Sequence, residues 1–202
     1  HFNGHPQMPL IFEGTTTLVG LDEGAGIEVE KDATLVITEN STGRLKAVGG
    51  AYGAAGIGGS AGSTGYEGRK LETGTIIIQC GTMEAEGGAY WVSYSRDYHG
   101  GAGIGTGLYG IGGTIEILGG TITAEGGKQT GAGIGGGMGG SVDTIVIGGA
   151  EGKAPNITVS SYNDGKSGYL GAAIGSGWNG VTDLKLSCGD IRILSGSVEV
   201  TG

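Results

Sequence analysis

Proline and cysteine are scarce in this chain, with 3 Pro and 2 Cys among 202 residues. That excludes a collagen helix, a Pro-rich linker and a small disulfide framework. Charge is scarce as well, at 15%, and 11 Lys+Arg against 20 Asp+Glu leave a net charge of -9. An acidic surface repels the phosphate backbone of nucleic acids and the anionic face of a membrane, so neither is an expected partner. No apolar run approaches the ~20 residues that span a bilayer, and no membrane insertion is predicted. The chain opens at His1 without Met or a signal peptide and closes on a strand-like Ser197 to Thr201. Both ends lead us to expect one β-helix domain over residues 1–202, cut from a larger protein.

What the sequence has in excess is glycine, 50 of 202 residues. Such a load usually accompanies disorder, yet here the glycines punctuate regular apolar strands such as Thr75 to Ile78 and Thr114 to Ile117. The apolar period is two rather than 3.6, which argues for strands and against helices.

Comparing the chain with itself gives three ladders. The first runs through Thr34 to Ile37, Thr75 to Ile78, Thr114 to Ile117, Thr144 to Ile147 and Asp183 to Leu186. A second, one turn later, pairs Leu45 with Ala47, Met83 with Ala85, Ile122 with Ala124, Ile157 with Val159 and Ile191 with Ile193. The third is Gly24-Ala25-Gly26-Ile27, repeated at Ala54 to Ile57, Gly101 to Ile104, Gly131 to Ile134 and Gly171 to Ile174. First-ladder positions recur at about 40 residues, once at about 30, so the core pattern is kept while corners absorb insertions. The predicted fold is all-β, a single right-handed parallel β-helix of about five to six coils with three short strands each. Glycine serves its corners, where positive φ or close backbone approach is required.

In this alignment Cys80 and Cys188 take the same place in coils three steps apart. At ~4.8 Å per step they lie about 14 Å from each other, too far for a disulfide, and free thiols are expected.

Function on such a frame belongs to whatever interrupts the repeat. The corner before Gly101 is expanded to Gly87 through Gly100 and holds Tyr90, Trp91, Tyr94, Arg96, Asp97, Tyr98 and His99. Aromatic rings with polar tips suit stacking on sugars or anchoring a protein interface, so these seven residues are the first binding candidates. Tyr162 and Tyr169, from the same corner further along, join them if the corners align. The competing expectation is that Trp91 and Tyr94 fold down as a core cover. A second expanded corner, Gly58 to Gly74, carries Tyr66, Glu67, Arg69 and Lys70. Trp178 takes the place of Met138 and Leu108 in neighbouring coils and is expected to stack with them.

For catalysis the best constellation is Asp97 with His99, joined by Arg96 and Glu67, as an acid-base set for a polysaccharide. Carboxylates are otherwise scattered, and only Glu86 above Glu125 aligns between coils. No catalytic residue is assigned. Asp22-Glu23 and Asn163-Asp164-Gly165 read as turns, no calcium loop is present, and no metal or other cofactor is expected. The GxGxxG-like strings precede no helix, so they do not point to phosphate. The Thr column of Thr34, Thr75, Thr114 and Thr144 is one residue wide, which lacks the flat double array of ice-binding solenoids.

The strings Gly131 to Gly137 and Gly119 to Gly127 resemble Gly-rich repeat regions of large secreted or wall-anchored surface proteins of gut Firmicutes. The resemblance covers roughly residues 24 to 194. It implies a pectin-lyase-like β-helix, an extracellular location and an adhesive role toward a host glycan or secreted glycoprotein, with a mucin or immunoglobulin among the candidates. It transfers no individual site residue. A polysaccharide lyase or hydrolase and a passive stalk are the alternative expectations.

Overall fold

A computed structural model describes residues 7–62, 71–93, 97–149, 154–162, 169–179 and 188–201. Its strands form three parallel walls. The first wall stacks β1 (Met8–Leu10), β4 (Thr34–Ile37), β7 (Thr75–Ile78), β12 (Thr114–Ile117), β15 (Thr144–Ile147) and β18 (Asp190–Ile193). The second stacks β2 (Thr15–Val19), β5 (Arg44–Val48), β8 (Thr82–Glu86), β13 (Thr121–Glu125), β16 (Asn156–Ser160) and β19 (Ser197–Thr201). The third stacks the two-residue strands β3 (Ile27–Glu28), β6 (Ile57–Gly58), β11 (Ile104–Gly105), β14 (Ile134–Gly135) and β17 (Ile174–Gly175). The chain visits the walls in that order in each coil, giving a right-handed parallel β-helix. The remaining strands, β9 (Ala89–Val92) and β10 (Asp97–Gly100), pair antiparallel as a hairpin outside the walls.

Period-two patterning decides which side chains enter. Leu35, Ile76, Ile115 and Ile145 face one another in register, as do Ile37, Ile78, Ile117 and Ile147, and all are buried. On the second wall Leu45, Met83, Ile122 and Ile157 form one column, and Ala47, Ala85, Ala124 and Val159 form the next. The third wall contributes Ile27, Ile57, Ile104 and Ile134. One continuous core results. Each fully buried aliphatic side chain contributes roughly 1.5–3 kcal/mol through apolar area removed from water.

The recurring Ile-Gly step explains much of the glycine. Gly58, Gly105, Gly135 and Gly175 all have φ near +137°, from 136° to 138°, where a Cβ is disfavoured. The glycine before the Ile is needed for room instead. A Cβ on Gly103 would come within 2.7 Å of the Glu125 and Gly133 carbonyl oxygens.

A small satellite core lies beside the third wall, where Ala54, Ala61, Leu108 and Met138 are buried with Tyr109 and Trp178 packed against them. The Tyr109 N–H bonds the Met138 carbonyl and the Gly139 N–H bonds the Trp178 carbonyl, each extending the ladder by one coil. Trp178 thus stacks with Met138 and Leu108, as its sequence position predicts.

Three sequence expectations change. The sixth and last strand of the first wall is Asp190–Ile193, paired with Thr144–Ile147, so Ile191 and Ile193 do not belong to the second ladder. Asp183 to Leu186 lies outside the described residues. Both segments alternate apolar and polar, and pattern alone cannot rank them. The choice is made by β19, which takes the second-wall position against β16. Cys188 consequently comes just before its first-wall strand, with the Gly189 N–H on the Val142 carbonyl, whereas Cys80 follows its own strand. The two places are not equivalent, although both thiols are free. Finally, β1 and β2 extend the walls ahead of residue 24 by pairing with β4 and β5. Their Thr- and Pro-containing sequences carry little apolar alternation.

Candidate functional site: the aromatic corner

The corner between the second and third walls carries the expanded segment. Sequence reading places an insertion there, and the structure makes it a hairpin in which Asp97 faces Val92, Tyr98 faces Trp91, His99 faces Tyr90 and Gly100 faces Ala89. Alternation sends Trp91 and Tyr98 to one face and Tyr90 and His99 to the other. The Trp91 and Tyr98 rings meet at 4.7 Å between centroids, tilted by 56°. Tyr90 stacks on Tyr52 of the preceding coil at 5.2 Å and 24°. The Lys128 ammonium, from the following coil, sits 4.8 Å from the Tyr98 ring centroid, a cation–π contact.

Coil four holds the hairpin at its base. The Tyr98 N–H donates to Gln129 Oε1 at 2.6 Å. Thr130 Oγ1 accepts from the Gly100 N–H at 2.7 Å and donates to the Tyr98 carbonyl at 3.3 Å. The Gly100 carbonyl accepts from the Met138 N–H. Gln129 adopts φ 68°, a sparsely populated conformation for a residue with a side chain, and is held there in a buried setting. A rigid frame therefore presents the aromatic rings.

Exposure marks this corner out. Tyr52 is 40% exposed, Trp91 47% and Tyr169 43%, and Leu21 in the first coil reaches 81%. Among the described residues, the other exposed large apolar side chains, Ile11, Val19, Ile191, Ile193, Leu194 and Val200, belong to the terminal coils. There the wall strands have a neighbour on one side only.

The predicted site residues divide accordingly. Tyr90, Trp91, Asp97, Tyr98 and His99 come together on the hairpin. Tyr94 and Arg96 lie outside the described residues. Tyr162 is half-buried at the start of the coil-five corner. Tyr169 packs on Trp178 with ring centroids 4.5 Å apart, so it covers the satellite core while keeping an exposed edge. Trp91 packs on Tyr98 of its own hairpin with nearly half of it facing solvent, and it is not among the residues packed on either buried cluster. Sequence reading missed Tyr52, Lys128, Gln129 and Thr130. Their one signal was position, each being in the matching corner of an adjacent coil.

Burial pushes the His99 imidazole below its usual range, against the opposing pull of the Asp97 carboxylate. It is therefore neutral at pH 7. Glu67, the fourth member of the predicted acid-base set, lies outside the described residues. Glu86 does stack directly below Glu125, but Lys46 Nζ lies 2.6 Å from Glu86 and 3.8 Å from Glu84, with Arg44 on Glu84 at 3.6 Å. Such exposed pairs add little stability, and this patch reads as a charge-balanced outer face.

A separate cleft of about 320 Å³ lies where the third wall turns to the first, lined by Glu28, Glu30, Lys31, Ser60 and Glu72 among others. Its polar groups engage one another, with Lys31 on Glu72 at 2.7 Å and Ser60 Oγ donating to Glu28 at 2.6 Å. No cluster of three or more His, Cys, Asp or Glu suited to a metal occurs among the described residues. Nor is any helix among them long and apolar enough to cross a membrane.

Fold and corner together define the class, a right-handed parallel β-helix with a lateral aromatic hairpin. No protein-family profile, curated protein or solved structure matches the chain.

Proposed function

We propose that this β-helix is a non-catalytic adhesive module of a secreted or wall-anchored bacterial surface protein, binding a host glycan or glycoprotein along the corner between its second and third walls. The observation that carries the reading is the concentration of exposed aromatic side chains there, Tyr52, Trp91 and Tyr169, on coils whose other described large apolar groups are buried or half-buried. Partially exposed Tyr and Trp on a rigid support give large contact area at low entropic cost. A mucin or an immunoglobulin is a fitting test partner. The test is a screen of the protein against host glycans and secreted host glycoproteins, repeated with Trp91→Ala. Binding that disappears in the variant, with an unchanged far-UV spectrum, supports the reading; binding that persists overturns the site.

A second reading follows from His99, whose neutral imidazole shares a strand face with Asp97. A neutral imidazole can accept a proton, so an acid-base activity on a polysaccharide is the alternative. Chain cleavage lost in His99→Gln would favour it.

A further inference from the structure

Among the described residues nothing pairs with the β9 edge of the hairpin, and the geometry points to it as the place where an extended segment of a protein partner adds as a strand. This deepens the adhesive reading above and rests on it.

In an antiparallel pair, alternate residues direct their N–H and C=O groups away from the partner strand. Tyr98 and Gly100 are of this outward kind, because their N–H and C=O groups bond Gln129, Thr130 and Met138 of the next coil. Their cross-strand partners, Trp91 and Ala89, must then direct theirs to the opposite side, the free edge of β9. No hydrogen bond from the described residues reaches those groups. The Trp91 residue on this strand is 47% exposed.

The end strands β1, β2, β3, β17, β18 and β19 also keep one edge without a neighbour, but at the two ends of the solenoid rather than on its side. The wall strands of inner coils have neighbours on both sides. At the first coil, the Leu10 carbonyl bonds Thr38, which turns Pro9, lacking an N–H, toward the outer edge. Among the described inner-coil elements β9 alone combines outward donors and acceptors with an exposed aromatic ring.

Two outward residues separated by one inward residue match the spacing of another polypeptide strand, whereas sugar hydroxyls carry no such alternation. Addition opposite Trp91 places a partner side chain on the indole, favouring an aromatic or β-branched residue there. The net charge of -9 and the neighbouring Asp97 disfavour an acidic segment. The occupant is thus an extended, non-acidic peptide stretch of a protein, bound through its backbone.

The test uses a displayed library of random dodecapeptides selected on the whole protein, alongside an array of neutral and sialylated oligosaccharides. Selected peptides should be non-acidic, protect the Trp91 amide from hydrogen exchange at least tenfold, and bind Ala89→Pro at least tenfold more weakly. That variant removes an outward N–H and keeps the indole. Amide protection in the wild-type protein decides the matter should the variant misfold. Failure to enrich peptides, or peptides that leave the Trp91 amide unprotected, overturns strand addition. Oligosaccharides that bind Ala89→Pro normally and Trp91→Ala not at all would also overturn it, while leaving the adhesive reading intact.

Discussion

Gln129 Oε1 accepts the main-chain N–H of Tyr98 at 2.6 Å, across 31 residues of sequence, and so fastens the aromatic hairpin to the coil that follows it. Without the clasp the Tyr98 N–H would lose its partner in a partly buried setting. Gln129→Gly removes the clasp while relieving the positive φ of 68°. We expect a net loss of roughly 1 kcal/mol, offset in part by that relief. Amide exchange at Tyr98 should accelerate while that of Ile115 stays slow; equal acceleration at both would show that the clasp serves the whole fold.

The second prediction concerns acid. Burial lowers the His99 pKa in the folded state, so the unfolded chain binds the proton more readily. Stability from this group is complete above the unfolded value of about 6.5 and declines as pH falls through it toward the lower folded value. Tryptophan fluorescence of the hairpin should therefore report loosening between pH 7 and 5. His99→Gln should flatten that dependence, and an unaltered profile would rule out His99 as its source.

A third prediction tests the glycine column. Gly105 has φ 138°, and a Cβ there would run into the Gly135 carbonyl of the coil above. Gly105→Ala should cost at least about 1–3 kcal/mol in urea denaturation. Gly14, where an added Cβ would meet nothing within 4 Å, provides the control. Gly14→Ala should stay within about 0.5 kcal/mol.

Burial raises the Cys188 pKa above its ordinary value. Less thiolate at a given pH means slower alkylation. Iodoacetamide at pH 8 should label Cys188 more slowly in the native protein than in urea, as read by mass spectrometry of its peptide; equal rates would contradict a sheltered thiol.

The walls could be read from sequence because every coil restates the same constraint. An apolar residue at alternate positions, a turn, and another such pair suffice when each strand stacks on a copy of itself. Leu35, Ile76, Ile115 and Ile145 align by pattern and pair in register. The positive φ of the Ile-Gly step was less legible, because sequence reading assigns that conformation to the corners, whereas Gly58, Gly105, Gly135 and Gly175 adopt it within the third-wall strands.

The sequence by itself determined the solenoid, its three walls, the inward columns and the location of the insertion. Only the tertiary structure decided that the insertion is a hairpin, that Gln129 and Thr130 secure one edge while β9 is left open, that Tyr52 stacks on Tyr90, and that Asp190–Ile193 closes the first wall. These decisions rest on single contacts between residues of different coils. Periodic apolar burial is written repeatedly along a chain, whereas one hydrogen bond or one ring contact leaves no period to read.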